Sequence, residues 1–188
     1  MSDRTLPHNL DAEKSVLGAI LIDNHAFNQA AEAIDSGDFF RDAHRRIFEK
    51  IVALSDLNQP IDLVTLKDEL DRAGELDDVG GPAYISGLTD GVPRSANVEH
   101  YARIVEQKSV LRRLITAAGQ IAQLAYDESR DADEVVDDAE QIVFGLAERR
   151  IRRDLIPIQQ IMGDVIDRID HLSRHRNEVF GVPTGFRL

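Results

Sequence analysis

The chain has 188 residues and a formal net charge of −12, and it is 43% hydrophobic, 30% charged and 5% aromatic, without Trp or Cys. These values are typical of a globular chain of one domain, or one domain with an appendage, and the lack of Cys excludes disulfides and thiolate chemistry. The lack of Cys fits a reducing cytoplasm, and no apolar run reaches the roughly 18 residues of a membrane span, so we expect a cytoplasmic protein without membrane contact. The acidic excess makes the chain as a whole a poor DNA-binding surface.

Helical periodicity without sustained alternation predicts an all-α fold. The first helix follows the capping residue Asn9 and runs to Ile22, and Asp11 and Glu13 suit the positive end of its dipole. Gly18 inside this helix costs about 1 kcal/mol relative to Ala, which close approach of a neighbouring helix would explain. The predicted buried stripe is Val16, Leu17, Ile20 and Leu21.

Four further helices follow in the globular part, which we predict to span residues 1–93. The third helix covers about 41–57, the fourth begins at Asp62 and closes at Gly74, and the fifth has Pro82 in its first turn and ends at Leu88. The apolar positions expected inside the second, third and fourth helices are Phe27, Ala30, Ala31, Ile34, Ile47, Phe48, Ile51, Val52, Leu63, Leu66 and Leu70.

A long antiparallel helical hairpin is predicted over 94–153, with its turn at 127–131. In the first helix of this hairpin the apolar positions cover a wider arc around the helix axis than one neighbouring helix can bury. These positions are Tyr101, Ile104, Leu111, Ile115, Ala118, Ile121, Ala122 and Ala125. The stripe of the second helix is Ala132, Val135, Val136, Ala139, Ile142, Val143, Leu146 and Ala147. Phe144 lies on the opposite face, roughly 180° from Val135. This surplus predicts a further partner, either the rest of the domain or another subunit.

The linker, 154–180, contains a separate amphipathic helix at about 157–176. Its narrow stripe must be buried on something, in this chain or in a second subunit. The stripe is Ile158, Ile161, Met162, Val165, Ile166, Ile169 and Leu172. Residues 180–188 have turn chemistry, as though a further domain followed.

The sequence contains no phosphate-binding loop of the G-x-x-x-x-G-K-[ST] type and no G-x-G-x-x-G motif. His171 and His175 stand four residues apart, but an exposed helix face explains them better than a metal site. Asp42 and His44 are interpreted as a capping and surface pair rather than a catalytic dyad. Two alternatives stay open, a free-standing helical enzyme that uses Asp42 and His44, and a stand-alone helical regulatory or ligand-sensing module.

Several ordered stretches, read together, resemble the bacterial replicative DNA helicase family of the DnaB type. The resemblance covers almost the whole chain, and so many matches at family spacing make it specific. The stretches are PHNLDAEKSVLG at 7–18, DFFRDAH at 38–44 with Ile47 and Phe48, PIDLVT at 60–65, GGPAY at 80–84, VPRSAN at 92–97, YARIV at 101–105, LRRLI at 111–115, DAE at 138–140 and GVPTGF at 181–186.

The resemblance implies an N-terminal helical domain over 1–153, a linker helix, and at 181–188 the start of a RecA-like ATPase domain that lies beyond this chain. In such a helicase the ATPase domain carries the ATP, Mg²⁺ and DNA contacts. The chain is therefore expected to be a catalytically inactive part of an ATP-dependent DNA helicase, with no catalytic, cofactor-binding or metal-binding residues of its own.

The resemblance also implies partners for the surplus apolar faces. Hairpins pair between subunits in a hexamer, the linker helix docks on a neighbouring subunit, and the collar so formed binds the primase; a helicase loader is a further candidate partner. The positions that match the family's primase contacts are Asp11, Tyr84, Ile115 and Ile121. The positions expected at subunit interfaces are Leu111, Ala118, Phe144, Ile161, Val165, Ile169 and Leu172. Hairpin packing is an equal alternative for Ile115 and Ile121, and a core position with a bonded hydroxyl is an equal alternative for Tyr84.

Overall fold

The structure is a computed structural model that describes residues 5–92, 97–127 and 129–153, with side chains as far as residue 146. The described part contains seven α-helices and no strand, which confirms the predicted all-α fold. The helices are α1 (Leu10–Ile22), α2 (His25–Ala33), α3 (Asp42–Asp56), α4 (Leu63–Arg72), α5 (Gly81–Gly87), α6 (Val98–Ala125) and α7 (Ala132–Arg153), with a 3-10 turn at Ser36–Asp38.

Local side-chain chemistry sets several of the helix boundaries. The Asn9 side chain accepts a hydrogen bond from the Ala12 N–H at 2.9 Å, which caps α1 as predicted. Asp62 caps α4 by accepting from the Thr65 N–H at 2.9 Å, while the Thr65 hydroxyl accepts from the Asp62 N–H at 3.0 Å. Gly74 has φ +71°, the left-handed conformation that ends a helix at low cost for glycine.

Helix α1 lies at the centre of the globular part and packs against α2, α3 and α6. Most of its residues are buried, because its apolar stripe meets neighbours on several sides. Helix α4 packs on α3, and α5 packs on α4. The largest fully buried apolar side chains are Phe48, Leu17, Ile20, Ile47, Ile51, Leu54, Leu66, Leu70, Ile85 and Leu88.

Gly18 permits close approach between α1 and the chain that leaves α5. A Cβ at this position would lie 2.8 Å from Val92 Cγ2 and still nearer to the Leu88 carbonyl oxygen. The expected close neighbour is therefore present, although the contact comes from the end of α5 and the following turn rather than from a helix flank.

Helix α6 has two parts with different surroundings. From Val98 to Ser109 it contributes buried positions to the globular core, whereas beyond Ser109 only Ala117 is fully buried among its described side chains. We call residues 110–125 of α6 and residues 132–146 of α7 the arm. At a rise of about 1.5 Å per residue, the 28 residues of α6 extend about 42 Å, so one helix runs from the core into the arm.

Two arginines fasten the base of the arm to the globular part. The Arg112 guanidinium donates to the Pro7 carbonyl oxygen at 2.8 Å and to the carbonyl oxygen of Asp38. Arg113 forms an ion pair with the side chain of Asp38, which is fully buried. Burial lowers the pKa of Arg112, with nearby Glu13 and Asp38 opposing that shift. These bonds fix where α6 leaves the core.

The structure corrects small parts of the sequence prediction. Ala31 is exposed rather than buried in α2, and α3 begins at Asp42 with Arg41 as its N-cap residue. Chain contacts define two units, Met1–Arg149 and Arg150–Leu188. The predicted linker helix at about 157–176 and the predicted domain start at 181–188 lie outside the described residues. None of the described helices has the length and apolar character needed to cross a bilayer.

Candidate functional site

A chain of hydrogen bonds leads from the buried face of α1 to a half-buried tyrosine on α5. Glu13 and His44 are each only 1% exposed. His44 Nδ1 lies 2.7 Å from Glu13 Oε2, and His44 Nε2 lies 2.6 Å from the Tyr84 hydroxyl oxygen. The Glu13 carboxylate also accepts the main-chain N–H groups of Phe40 at 2.9 Å and Arg41 at 3.3 Å. Three elements thus converge on one buried polar cluster, in which each buried group has a partner.

Tyr84 forms the outer end of this cluster. The Arg41 guanidinium donates to the Tyr84 hydroxyl at 3.0 Å and lies over its ring, 4.6 Å from the ring centre. Burial raises the pKa of Tyr84 above its ordinary value; the charge of Arg41 opposes that rise and the charge of Glu13 adds to it. The phenol is therefore neutral at physiological pH and keeps its proton for hydrogen bonding.

The predicted surface position of His44 is wrong, because the side chain is buried between Glu13 and Tyr84. Asp42 instead pairs with Arg46 at 2.7 Å and with Arg45, and the hydrogen bond from Arg46 lowers the pKa of Asp42. The two residues thus belong to different interactions, which removes the geometry required for a catalytic dyad. Among the described residues, no group of three or more His, Asp or Glu side chains is arranged to hold a metal ion.

The arm carries the second feature of interest, a set of exposed apolar side chains on both of its helices. On α7, Phe144 is 62% exposed and lines one shallow groove with Val136, Ala139 and Val143. On α6, Leu111 and Ile115 are 45% and 50% exposed. Phe144 is therefore largely uncovered in the described part of the chain. The structure corrects the predicted stripe of α7, because Val136 and Val143 are exposed and share this groove with Phe144 rather than lying on a buried face opposite it.

The residues expected at partner interfaces lie in two regions. Asp11 is exposed in the first turn of α1, and Tyr84 lies on α5 with its hydroxyl bonded as described above. Ile115 is exposed and Ile121 is half-buried, both on the arm. Leu111, Ala118 and Phe144 are also exposed on the arm. The other expected interface residues, Ile161, Val165, Ile169 and Leu172, lie outside the described residues, as do His171 and His175.

The burial of Glu13 and of His44 did not follow from the sequence analysis, although a pattern marks both residues. Glu13 precedes Val16, Leu17 and Ile20 at spacings of three, four and seven, so it shares their buried face of α1. His44 stands in the same relation to Ile47, Phe48 and Ile51 on α3. A titratable residue in line with a buried stripe requires a hydrogen-bond partner inside the protein. When two helices each carry one such residue, each residue is a candidate partner for the other.

The fold and the site define an all-α domain in which a helical arm extends from a globular core. A model of the family described as DnaB-like helicase N terminal domain matches residues 5–107. The chain therefore belongs to this family, which the match over more than half of its residues shows.

Individual proteins agree with this assignment. The chain is 40% identical over 185 residues to the replicative DNA helicase DnaB of Geobacillus stearothermophilus, covering 98% of this chain and 41% of that protein. It is 37% identical over 186 residues to the replicative DNA helicase DnaC of Bacillus subtilis (strain 168), covering 99% of this chain and 41% of that protein. The chain thus spans about two-fifths of the length of these relatives.

A solved structure shows the same fold. The N-terminal domain of DnaB helicase from Mycobacterium tuberculosis matches with a TM-score of 0.72 and 39% sequence identity. The match covers 75% of this chain and 99% of that one.

Proposed function

We propose that this domain is the assembly and partner-docking collar of a hexameric replicative DNA helicase that works in the cytoplasm. In this proposal the arms of neighbouring subunits pair through their apolar faces, and the collar binds the helicase-binding domain of a primase. Unwinding and DNA contact belong to a C-terminal ATPase domain of the whole protein, where ATP and Mg²⁺ act and where a helicase loader is a further candidate partner.

The observation that carries the proposal is the exposed apolar surface of the arm. Val136, Val143 and Phe144 are 56%, 53% and 62% exposed, and with Ala139 they line one continuous groove on α7. Large side chains grouped in this way are typical of surfaces that bind other proteins. Full burial of a Phe side chain stabilises by about 1.5–3 kcal/mol, so covering the exposed part of Phe144 contributes about 1–2 kcal/mol per copy.

Replacement of Phe144 by Asp tests self-association. Because Phe144 is largely exposed, Phe144→Asp should fold normally by circular dichroism, whereas dimers or higher oligomers seen by sedimentation of the wild-type chain should be lost. Leu57→Asp is the matched control, since Leu57 is 65% exposed but lies at the end of α3. Equal association of both variants and the wild-type chain would contradict pairing through the arm, and unfolding of Phe144→Asp would place Phe144 in an intramolecular contact.

The proposed primase contacts are within reach of a docked protein. Asp11 and Ile115 are exposed, and Tyr84 and Ile121 are half-buried. A primase domain that touches both Tyr84 and Ile115 would span the globular part and the arm, which α6 joins as one continuous helix.

We assign ATP hydrolysis to the C-terminal ATPase domain because the sequence of this chain contains no phosphate-binding loop to hold the β- and γ-phosphates. The purified chain is therefore expected to show no Mg²⁺-dependent ATP turnover in a phosphate-release assay. Turnover that co-purifies with the chain through successive columns would contradict this assignment.

A further inference from the structure

A cleft of about 730 Å³ lies where the base of the arm meets the globular part. We call it the basal cleft. The N-terminal segment, α6 and α7 all contribute to its walls, among them Leu6, Arg112, Arg113, Thr116, Gln141 and Leu146. Small-molecule sites in proteins usually measure about 300–1,000 Å³ and combine apolar walls with a few polar groups. The basal cleft has this size and this mixture of side chains.

The charge of the basal cleft is opposite to the charge of the chain. Among the described residues that line it, Arg112 and Arg113 are the charged ones, and none is acidic. The chain as a whole has a net charge of −12. A cleft that is lined by one sign of charge and by apolar side chains concentrates the electric field. The basal cleft therefore attracts anions, although the chain as a whole repels them.

The carboxylates near the basal cleft do not pair with both guanidinium groups. Arg113 forms its ion pair with the fully buried Asp38 side chain. Arg112 donates instead to the main-chain carbonyl oxygens of Pro7 and Asp38, which carry no formal charge. Glu13, whose charge also acts on Arg112, is 1% exposed and does not line the cleft. Within hydrogen-bond distance in the described part of the chain, the two guanidinium groups thus have one carboxylate between them.

Both arginines keep hydrogen-bond donors that could hold an oxyanion. A guanidinium group has five N–H donors, of which Arg112 uses two and Arg113 uses one in the bonds given above. No other described residue accepts from these side chains, and the planar fork of a guanidinium group matches the two oxygens of a carboxylate. The Thr116 hydroxyl and the Gln141 amide provide further polar groups, and Leu146 provides apolar surface in the same cleft.

We propose that the basal cleft binds a small organic anion, whose carboxylate pairs with Arg112 and whose short apolar part lies against the side chains of α7. A single negative charge matches the one guanidinium group that lacks a carboxylate partner in the described part of the chain, so a carboxylate fits better than a doubly charged phosphate. The inference goes beyond the proposed docking function and does not depend on it, because it concerns binding by the free chain.

Three probes separate the charged part of the ligand from its apolar part. Hexanoate and 1-hexanol share the same carbon chain and differ in charge, whereas inorganic phosphate has charge without an apolar part. Each is titrated into the complete chain at low ionic strength, where charge pairs are least screened. Binding is followed by NMR of the arginine Nε–H groups and the backbone amides.

Hexanoate should cause saturable shifts at Arg112 and at the residues of α6 and α7 that line the basal cleft. Hexanol and phosphate should each bind at least about fivefold more weakly, the equivalent of one partly exposed charge pair or one short apolar contact. Equal binding of hexanol would refute an anion site, and equal binding of phosphate would refute the apolar part of the ligand. Hexanoate shifts that avoid Arg112 and the cleft, or no saturable shift, would refute the site itself.

Gln141→Glu and Gln123→Glu form a matched pair that tests the position of the charge. Both residues are exposed, but Gln141 lines the cleft on α7 and Gln123 lies on α6 outside its lining. Each substitution adds one negative charge and leaves the bonds of Arg112 and Arg113 in place. Gln141→Glu should weaken hexanoate binding by about fivefold, whereas Gln123→Glu should leave it unchanged. Equal weakening by both variants would show an effect of net charge alone and would refute binding in the cleft.

Arg112→Gln removes the charge that the proposal pairs with the ligand, and hexanoate binding should fall by about tenfold or more. Wild-type affinity in this variant would refute the role of Arg112. Because Arg112 also fastens the base of the arm, circular dichroism checks that the variant folds. If it does not fold, Gln141→Lys decides the question, since it adds a positive charge to the cleft without removing a bond of Arg112. Gln141→Lys should bind hexanoate about fivefold more tightly, and unchanged or weaker binding would refute the proposal.

Discussion

Substitution of Gly18 by Ala has two opposite effects on stability: the higher helix propensity of Ala stabilises α1, and the added Cβ overpacks the core. We expect the overpacking to be the larger effect. In an open helix, Gly→Ala stabilises by about 0.8–1.0 kcal/mol. At Gly18 the new Cβ would lie 2.8 Å from Val92 Cγ2 and nearer still to the Leu88 carbonyl oxygen, whereas carbon contacts are optimal at about 3.5–4.0 Å. The main chain after α5 must therefore move. Overpacking costs about 1–3 kcal/mol, and a main-chain neighbour favours the upper end of that range.

The net expectation for Gly18→Ala is destabilisation by about 2 kcal/mol, which lowers Tm by about 4–8 °C in a chain of this size. Gly119→Ala is the matched control, since Gly119 lies inside α6 and a Cβ there would meet no atom within 4 Å. That variant should raise Tm by about 2–4 °C. Thermal and urea unfolding followed by circular dichroism give both values. If Gly18→Ala stabilises as much as Gly119→Ala, the close approach of Leu88 to α1 is refuted.

Two further predictions concern the helix cap and the core. Asp62→Ala should destabilise by about 1 kcal/mol, because α4 loses its N-cap, whereas Asp62→Asn keeps an accepting oxygen and should cost only a few tenths. The hydrogen bonds from Thr65 lower the folded-state pKa of Asp62 below its ordinary value. The charged cap therefore contributes its full stability at pH values above the ordinary pKa, and this contribution is lost as the pH falls through the folded-state pKa. Urea unfolding at several pH values should show the loss in the wild-type chain and not in Asp62→Asn. Phe48→Ala should cost about 3–5 kcal/mol, since Phe48 is 1% exposed, while Val64→Ala at 77% exposure should change stability by less than about 0.5 kcal/mol in the same assay.

The helix boundaries could be predicted from the sequence because the capping residues act on their immediate neighbours in the chain. Asn9, Asp62 and Gly74 act within a few residues of themselves, so their capping roles follow from neighbouring residues alone. Helical rotation likewise places Phe144 away from Val135 whatever the rest of the chain does, but rotation alone did not show that Val136 and Val143 share the exposed groove with Phe144.

The candidate site was harder to predict because its contacts join distant parts of the chain. Glu13 was assigned to the helix dipole, and its position in the first turn of α1 does suit that role. Its actual partners are the main chain at Phe40 and the His44 side chain, 27 and 31 residues away. No local pattern specifies which distant donors will face a buried carboxylate. The requirement for some partner was visible, since Glu13 is in line with an apolar stripe, but the identity of the partner depends on how α1 and α3 pack.

The arrangement around α6 connects the two candidate surfaces of this domain. The same helix is buried against α1 and α2 over its first turns and carries Leu111 and Ile115 in the arm. At the junction, Arg112 binds the Pro7 and Asp38 carbonyl groups, and Arg113 pairs with the buried Asp38 side chain. Such charge-assisted bonds are directional, so they hold α6 in one orientation on the core. Tyr84 is held separately, by its hydrogen bonds with His44 and Arg41 and by the packing of α5 on α4. Both sets of contacts belong to one core, because α4 packs on α3, and α3 and α6 both pack on α1. A partner that contacts Tyr84 and Ile115 together would therefore meet two points held at a fixed separation, and little orientational freedom would be lost when it docks.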